Sequence, residues 1–141
     1  MAIRQIEIGL KQSGRSIYDI DRPQLIMCSV HQDRQVALDI SRRVVTQFIM
    51  QQPQLMRANG IPQSLIDEVT QLRPVHPEQI RQVSKLIPND IVQLVTASGN
   101  VEDVRAKVRE YIRSGATCPV LYPLSRDVRA LIDAFASGYS R

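Results

Sequence analysis

The chain has 141 residues, with 18 Lys and Arg against 14 Asp and Glu, a net charge of +4, and 43% hydrophobic residues. This is one domain's worth of an ordinary soluble protein, or less. Aromatic residues are scarce at 4%, Trp is absent, and Arg42-Arg43 is the only adjacent basic pair, so the sequence lacks the basic stripe and the stacking platforms of a nucleic-acid binder.

In chain order, Ile3, Ile6 and Leu10 share a helical face, and Lys11–Ser13 before Gly14 resemble a helix end, so a helix is expected over Gln5–Ser13. Charges interrupt the apolar pattern of this N-terminal segment. It therefore reads as neither a signal peptide nor a membrane span, and no other segment approaches the ~20 apolar residues of one. The expected setting is cytoplasmic, without a membrane partner.

Asp19, Asp21 and Pro23 suit turns, and Gln24–Val30 is a short apolar run of strand length. Asp33 is the expected N-cap of a long helix with Val36, Ile40, Val44, Val45, Phe48 and Ile49 on one face. Pro53 ends it. Residues 53–95 read as several short helices, broken at Asn59-Gly60, at Pro74 and at Pro77, with Pro88-Asn89-Asp90 opening the last.

Thr96–Leu124 organises the remainder. Ser98-Gly99-Asn100 reads as a turn, with Asn100 as N-cap and Asp103 in the capping-box position. Val101, Val104, Val108 and Ile112 form an apolar stripe. Ser114-Gly115 supplies the stop, and Cys118–Leu124 reads as a second buried strand bracketed by Pro119 and Pro123. A final helix from Arg126 places Val128, Leu131, Ile132 and Phe135 inside, and Gly138 ends it. Cys28 and Cys118 each fall in an expected buried strand, with no CxxC or Cys/His partner, so both read as small hydrophobes in a reducing compartment.

Two parallel strands are too few for a stable sheet. The expectation is therefore that strands are missing from this reading, or that the chain belongs to something larger: a longer polypeptide, a second chain or a homo-oligomer.

Two stretches resemble luciferase-like flavin- or deazaflavin-dependent oxidoreductases, with the methylene-tetrahydromethanopterin reductase-like subgroup the nearest suggestion. One is GRSIYDIDRPQLIMCSVHQDRQVALD. The other is IPNDIVQLVTASGNVEDVRAKVREYIRSGATCPVLYPLSRDVRALIDAFA, in which a short helix, a Gly-Asn-x-Glu-Asp turn, a helix, a Gly-Ala stop, an apolar strand and a last helix follow in the family's order. Residues 51–87 match only in character. The resemblance implies a mostly helical α/β chain forming the C-terminal quarter of a (β/α)8 TIM barrel. Residues 1–141 would be a partial barrel domain, Gln24–Val30 its seventh strand, Cys118–Leu124 its eighth, and about 53–95 a helical insertion.

Sites in such barrels lie at the C-terminal ends of the strands. By that placement Ser98, Gly99, Asn100 and Arg126 are the candidates for a phosphate or anion pocket, and Ser29, His31, Tyr122 and Ser125 line it. The commoner readings are plain: Asn100 as a cap, Arg126 as a solvated cation, Tyr122 as core and His31 as a turn residue. The implied cofactor is FMN or a deazaflavin coenzyme, with a small-molecule substrate. Spacings assemble no metal cluster, no paired carboxylates, no P-loop and no Ser/His/Asp set, and no catalytic residue is assigned. The alternative is a non-catalytic helical α/β module that self-associates through its strand edges.

Overall fold

A computed structural model describes residues 2–72 and 76–136. At its centre Pro23–Val30 (β1) pairs in parallel with Ala97–Gly99 (β2) on one side and with Cys118–Pro123 (β3) on the other. Helix Ala2–Ser13 (α1) precedes β1. Arg34–Gln51 (α2), Pro53–Ala58 (α3), Gln63–Gln71 (α4), Pro77–Val83 (α5) and Asn89–Val95 (α6) connect β1 to β2. Val101–Arg113 (α7) connects β2 to β3, and Val128–Ala136 (α8) follows β3. The expected break at Pro74 and stop at Gly138 lie outside the described residues.

The third strand answers the shortage of strands. Cys28, Ser29 and Val30 of β1 pair with Ala97, Ser98 and Gly99 of β2, and His31 N–H donates to Gly99 C=O at 3.1 Å to extend the ladder. Ser98 and Gly99 are therefore buried strand residues rather than the exposed turn that their composition suggests.

The chain moves from β1 to one neighbour and then crosses back over β1 to the other. Right-handed crossovers in opposite directions put their helices on opposite faces of a sheet. Ile26, Cys28, Val30 and Ala97 accordingly pack on Val104 and Val108 of α7 and Leu131 of α8. At the C-terminal end of the opposite face Ser98 meets α2, whose Ser41 hydroxyl lies 2.6 Å from its own. The described residues thus form a mostly helical α/β unit around a three-stranded parallel sheet.

A second core lies wholly among the helices. Leu38, Val45 and Ile49 of α2 meet Ile66 and Val69 of α4, Ile91 and Val92 of α6, and the linking residues Ile61 and Ile87. Arg42 ties this unit to α2 through the Ile87 carbonyl and the Asn89 side chain. The buried face of α2 is Ala37, Leu38, Ser41, Val45, Thr46 and Ile49, while Val36 is exposed. The helix is rotated from its expected apolar stripe because it must serve both the sheet and the helical unit. On α8, Leu131 and Ala134 are buried whereas Val128 and Ile132 are exposed.

Strand β3 is not buried on two faces. Cys118, Val120 and Tyr122 are exposed, as is Leu25, which pairs with Val120. Leu124 N–H donates to Cys28 C=O at 2.7 Å. The alternation of a strand then turns the amides of 118, 120 and 122 toward β1 and positions 119, 121 and 123 outward. Pro119 and Pro123 thus sit on the open edge, where the missing N–H does least harm and blocks further pairing. The proline bracket that suggested a buried strand marks an edge strand.

Cys28 is 1% exposed, and burial pushes its thiol from an ordinary 9.0 up to about 12. The folded state then keeps a proton that the unfolded state loses above its ordinary value, so stability falls as pH rises beyond 9.0. Urea unfolding compared at neutral pH and one pH unit above the ordinary thiol value is expected to show an extra loss of about 1 kcal/mol in the parent relative to Cys28→Ala. Parallel behaviour of the two proteins would refute it.

Candidate functional site

Three chain segments leave the sheet at the C-terminal ends of the strands. Val30 leads into His31–Asp33, Gly99 into Asn100 and α7, and Pro123 into Leu124–Asp127 and α8. Because β1 sends its connection to one face while β2 sends its connection to the other, a crevice opens between them, the usual ligand position in open α/β sheets. A cleft of about 570 Å3 occupies that position. Val30, His31 and Gln32 form one wall, Asn100, Val101, Glu102 and Arg105 a second, and Ala130, Asp133 and Ala134 of α8 the third. The lining is mainly apolar, with its charges at the rim.

The α7 start is built by local sequence. Asn100 Oδ1 accepts from Asp103 N–H at 3.0 Å, and Asp103 Oδ2 accepts from Asn100 N–H at 3.1 Å. This reciprocal capping box satisfies two helix-end donors. The same Asp103 oxygen accepts from Arg34 Nε at 2.9 Å, linking the starts of α2 and α7. A carboxylate therefore occupies the helix start at which an external anion was expected. Asn100→Ala is expected to cost about 1 kcal/mol by removing the cap, read as a lowered midpoint in thermal or urea unfolding. An unchanged midpoint would contradict the capping role.

Glu102 and Arg105 lie one turn apart on α7. Arg105 Nε donates to Ala134 C=O at 2.6 Å and its Nη1 reaches Glu102 at 3.4 Å, so this guanidinium is used in fixing α8 against α7.

His31 is held by the turn before α2. The Asp33 N–H donates to His31 Nδ1 at 2.9 Å, and the Asp33 side chain in turn caps α2 by accepting from Gln35 N–H at 2.9 Å.

Behind the cleft a row of hydroxyls lies between sheet and α2. Thr96 Oγ1 donates to Val92 C=O at 2.8 Å and is 2.8 Å from Ser98 Oγ, which is 2.6 Å from Ser41 Oγ. Each hydroxyl has one proton, so the row runs Ser41 to Ser98 to Thr96 to Val92. Ser29, beside Ser98 in the sheet, is 1% exposed and its hydroxyl has no hydrogen-bond partner among the described residues.

Of the residues chosen from sequence, His31 and Asn100 line the cleft. Ser29, Ser98 and Gly99 lie in the sheet behind it. Tyr122, Ser125 and Arg126 belong to β3 and the loop after it and do not line this cleft. Tyr122 is 54% exposed, not core, and Ser125 Oγ donates to Asp127 C=O at 3.2 Å. Glu102, Arg105, Ala130, Asp133 and Ala134 escaped the sequence reading. Their signal was helical spacing: 101, 102 and 105 on α7, and 130, 133 and 134 on α8, become one surface once the two helices are known to be adjacent. Among the described residues no group of three His, Cys, Asp or Glu is placed to hold a metal ion, and no helix is long and apolar enough to cross a membrane.

Comparison with known proteins finds relatives by sequence and by structure. The sequence pattern of a family described as luciferase-like monooxygenase matches residues 1–118. A 5,10-methylenetetrahydromethanopterin reductase of Methanopyrus kandleri is 23% identical over 135 residues, covering 94% of this chain and 38% of that protein. The solved structure of a coenzyme F420 dependent tetrahydromethanopterin reductase, also from Methanopyrus kandleri, superposes with a TM-score of 0.80 at 22% identity, over 96% of this chain and 39% of the other. The chain thus spans about two fifths of the length of these relatives.

Proposed function

Because the chain belongs to the luciferase-like monooxygenase family, we propose that it works as one part of a luciferase-like oxidoreductase that uses a flavin or, by its likeness to the F420-dependent reductase, a deazaflavin. Residues 1–141 are then a portion of such a domain, with 53–95 as its helical insertion and β1 and β3 as neighbouring strands. The observation that carries this reading is the cleft at the C-terminal ends of β1 and β2, where ligands of α/β folds bind.

A volume of about 570 Å3 falls within the range of small-molecule pockets, but the cleft has only three walls. The fit is to part of a ligand. The apolar lining with His31 at its edge suits an uncharged ring. The Glu102 and Asp133 carboxylates at the rim repel a phosphate, so the anionic end of the ligand is directed away from them, and Arg126 on the loop after β3 is the cation proposed to meet it. Ser98 and Gly99 act from behind by fixing Asn100. The cofactor, when bound, supplies the hydride-transfer chemistry. This chain's residues bind, orient and exclude water on one side, and the remaining walls come from further sequence of a longer polypeptide, from a second polypeptide or from a second copy.

A second reading, self-association without catalysis, is favoured by exposed Leu25, Val120 and Tyr122 beside one another on β1 and β3. Pro119 and Pro123 direct such contact to the face of the strand and away from its edge. Light scattering of the purified chain, with and without FMN or coenzyme F420, separates the two. The proposal expects no stoichiometric cofactor complex from the chain alone, and recovery of additional protein with the tagged chain from its own cells. One-to-one binding by a monomer would overturn the need for further walls. A stable homo-oligomer that binds neither cofactor, with nothing else recovered, would favour the second reading.

A further inference from the structure

We infer that His31 is held as the Nε2–H tautomer and donates that proton to a ligand oxygen in the cleft, making it a specificity-determining residue for a ligand with a ring carbonyl or comparable oxygen acceptor. The inference deepens the cleft reading and rests on it.

The argument begins at the backbone. The Asp33 amide N–H can only donate, and it lies 2.9 Å from His31 Nδ1. Nδ1 must then accept, and in a neutral imidazole the proton resides on the other nitrogen. The Asp33 carbonyl is also near, at 3.2 Å from Nδ1. It would favour a proton on Nδ1, but that state would set two protons against each other across the shorter contact. The shorter amide contact therefore decides the tautomer.

The turn is fixed at both ends. His31 N–H is bonded to Gly99 C=O, which ties the residue to the end of the sheet. Asp33 is fixed by capping α2. His31 therefore has a set place among the residues that line the cleft, and no side chain bonds its Nε2 among the described residues.

The other cleft side chains sharpen the assignment. Arg105, the one cation in the lining, already donates to Ala134 C=O and Glu102. Glu102 and Asp133 are acceptors when ionised. A neutral N–H donor beside an apolar lining and two carboxylates selects an uncharged oxygen acceptor over a phosphate. Carbonyl oxygens on a flat heterocycle answer that description.

Two measurements test this. The first is 15N NMR of the histidine-labelled chain, with His76→Gln used to assign the only other histidine. In the neutral ring, His31 is expected to show a protonated Nε2 and an unprotonated Nδ1. The second is binding of FMN and of coenzyme F420 to the assembled protein isolated from its own cells. His31→Ala is expected to weaken binding of the cofactor it takes by about 5- to 10-fold, the worth of one hydrogen bond. His31→Gln, which retains an N–H donor, is expected to stay within about 3-fold of the parent. A proton on Nδ1 overturns the tautomer assignment. Equal affinity of His31→Ala and the parent overturns the ligand role while leaving the cleft reading intact. Failure of the parent assembly to bind either cofactor overturns the cleft reading and the ligand role together, whatever the tautomer.

Discussion

Gly99→Ala is expected to destabilise the protein by about 2–4 kcal/mol, several times the usual effect of adding one methyl group. Gly99 has φ +147°, and a Cβ built there lies 2.7 Å from Asp103 Cβ and closer still to Asp103 Oδ2. Neither partner has room to yield. Asp103 is the third residue of α7, and its Oδ2 is engaged with Asn100 N–H and Arg34 Nε. Moving it releases the capping box and the link to α2, and pushing Gly99 instead disturbs the β2 ladder. Gly9→Ala is the control: a Cβ there meets nothing within 4 Å, and the position lies within α1. That change is expected to be neutral or to stabilise by up to about 1 kcal/mol. Chemical unfolding of both variants checks the pair, and a Gly99→Ala midpoint equal to that of Gly9→Ala would refute the account of the α7 start.

Val104→Asp is expected to prevent folding altogether. Val104 is fully buried against the sheet, in the cluster with Ile26, Cys28, Val30 and Leu131. The substitution removes apolar packing worth about 1.5–3 kcal/mol and places a carboxylate where no cation shares the cluster, at a further cost of several kcal/mol. Together these approach the whole stability of an ordinary domain, about 5–15 kcal/mol. Val104→Ala, which leaves only a cavity, is expected to lose about 2–3 kcal/mol and still fold. Circular dichroism and proton NMR dispersion of the two variants distinguish these outcomes. A folded Val104→Asp protein would mean that α7 does not pack on the sheet as described.

What the sequence made legible was mainly local. Asn100 and Asp103 declare a helix start because the capping box needs only four residues. Ser114-Gly115 declares its end, and Gly115 indeed adopts φ +106°. Asp33 before α2 is legible for the same reason. Strand β2 was hidden because three residues have no measurable period, and Ser98 and Gly99 are turn formers by composition. They extend only because Ser29 and Val30 lie alongside. Strand β3 was recognised but misjudged, since an apolar run with prolines has one signature whether it is buried or lies at an edge, and only the pairing shows that Pro119 and Pro123 face outward.

The candidate site followed the same division. His31 and Asn100 could be chosen because both stand where a strand gives way to a helix. The wall made by Ala130, Asp133 and Ala134 could not, because it depends on α8 folding back beside α7. The strand order was hidden for the same reason: β2 joins one side of β1, and the chain then crosses back over β1 to reach β3.

The central proposal is that this chain supplies part of a flavin or deazaflavin site in a larger luciferase-like oxidoreductase. Equilibrium dialysis of FMN and of coenzyme F420 against the purified chain, and against the assembly recovered with it from its own cells, tests this most directly. The account predicts binding of one of the two by the assembly, near one per chain, and none of comparable strength by the chain alone. Absence of binding in both preparations, or full-strength binding by the lone chain, would contradict it.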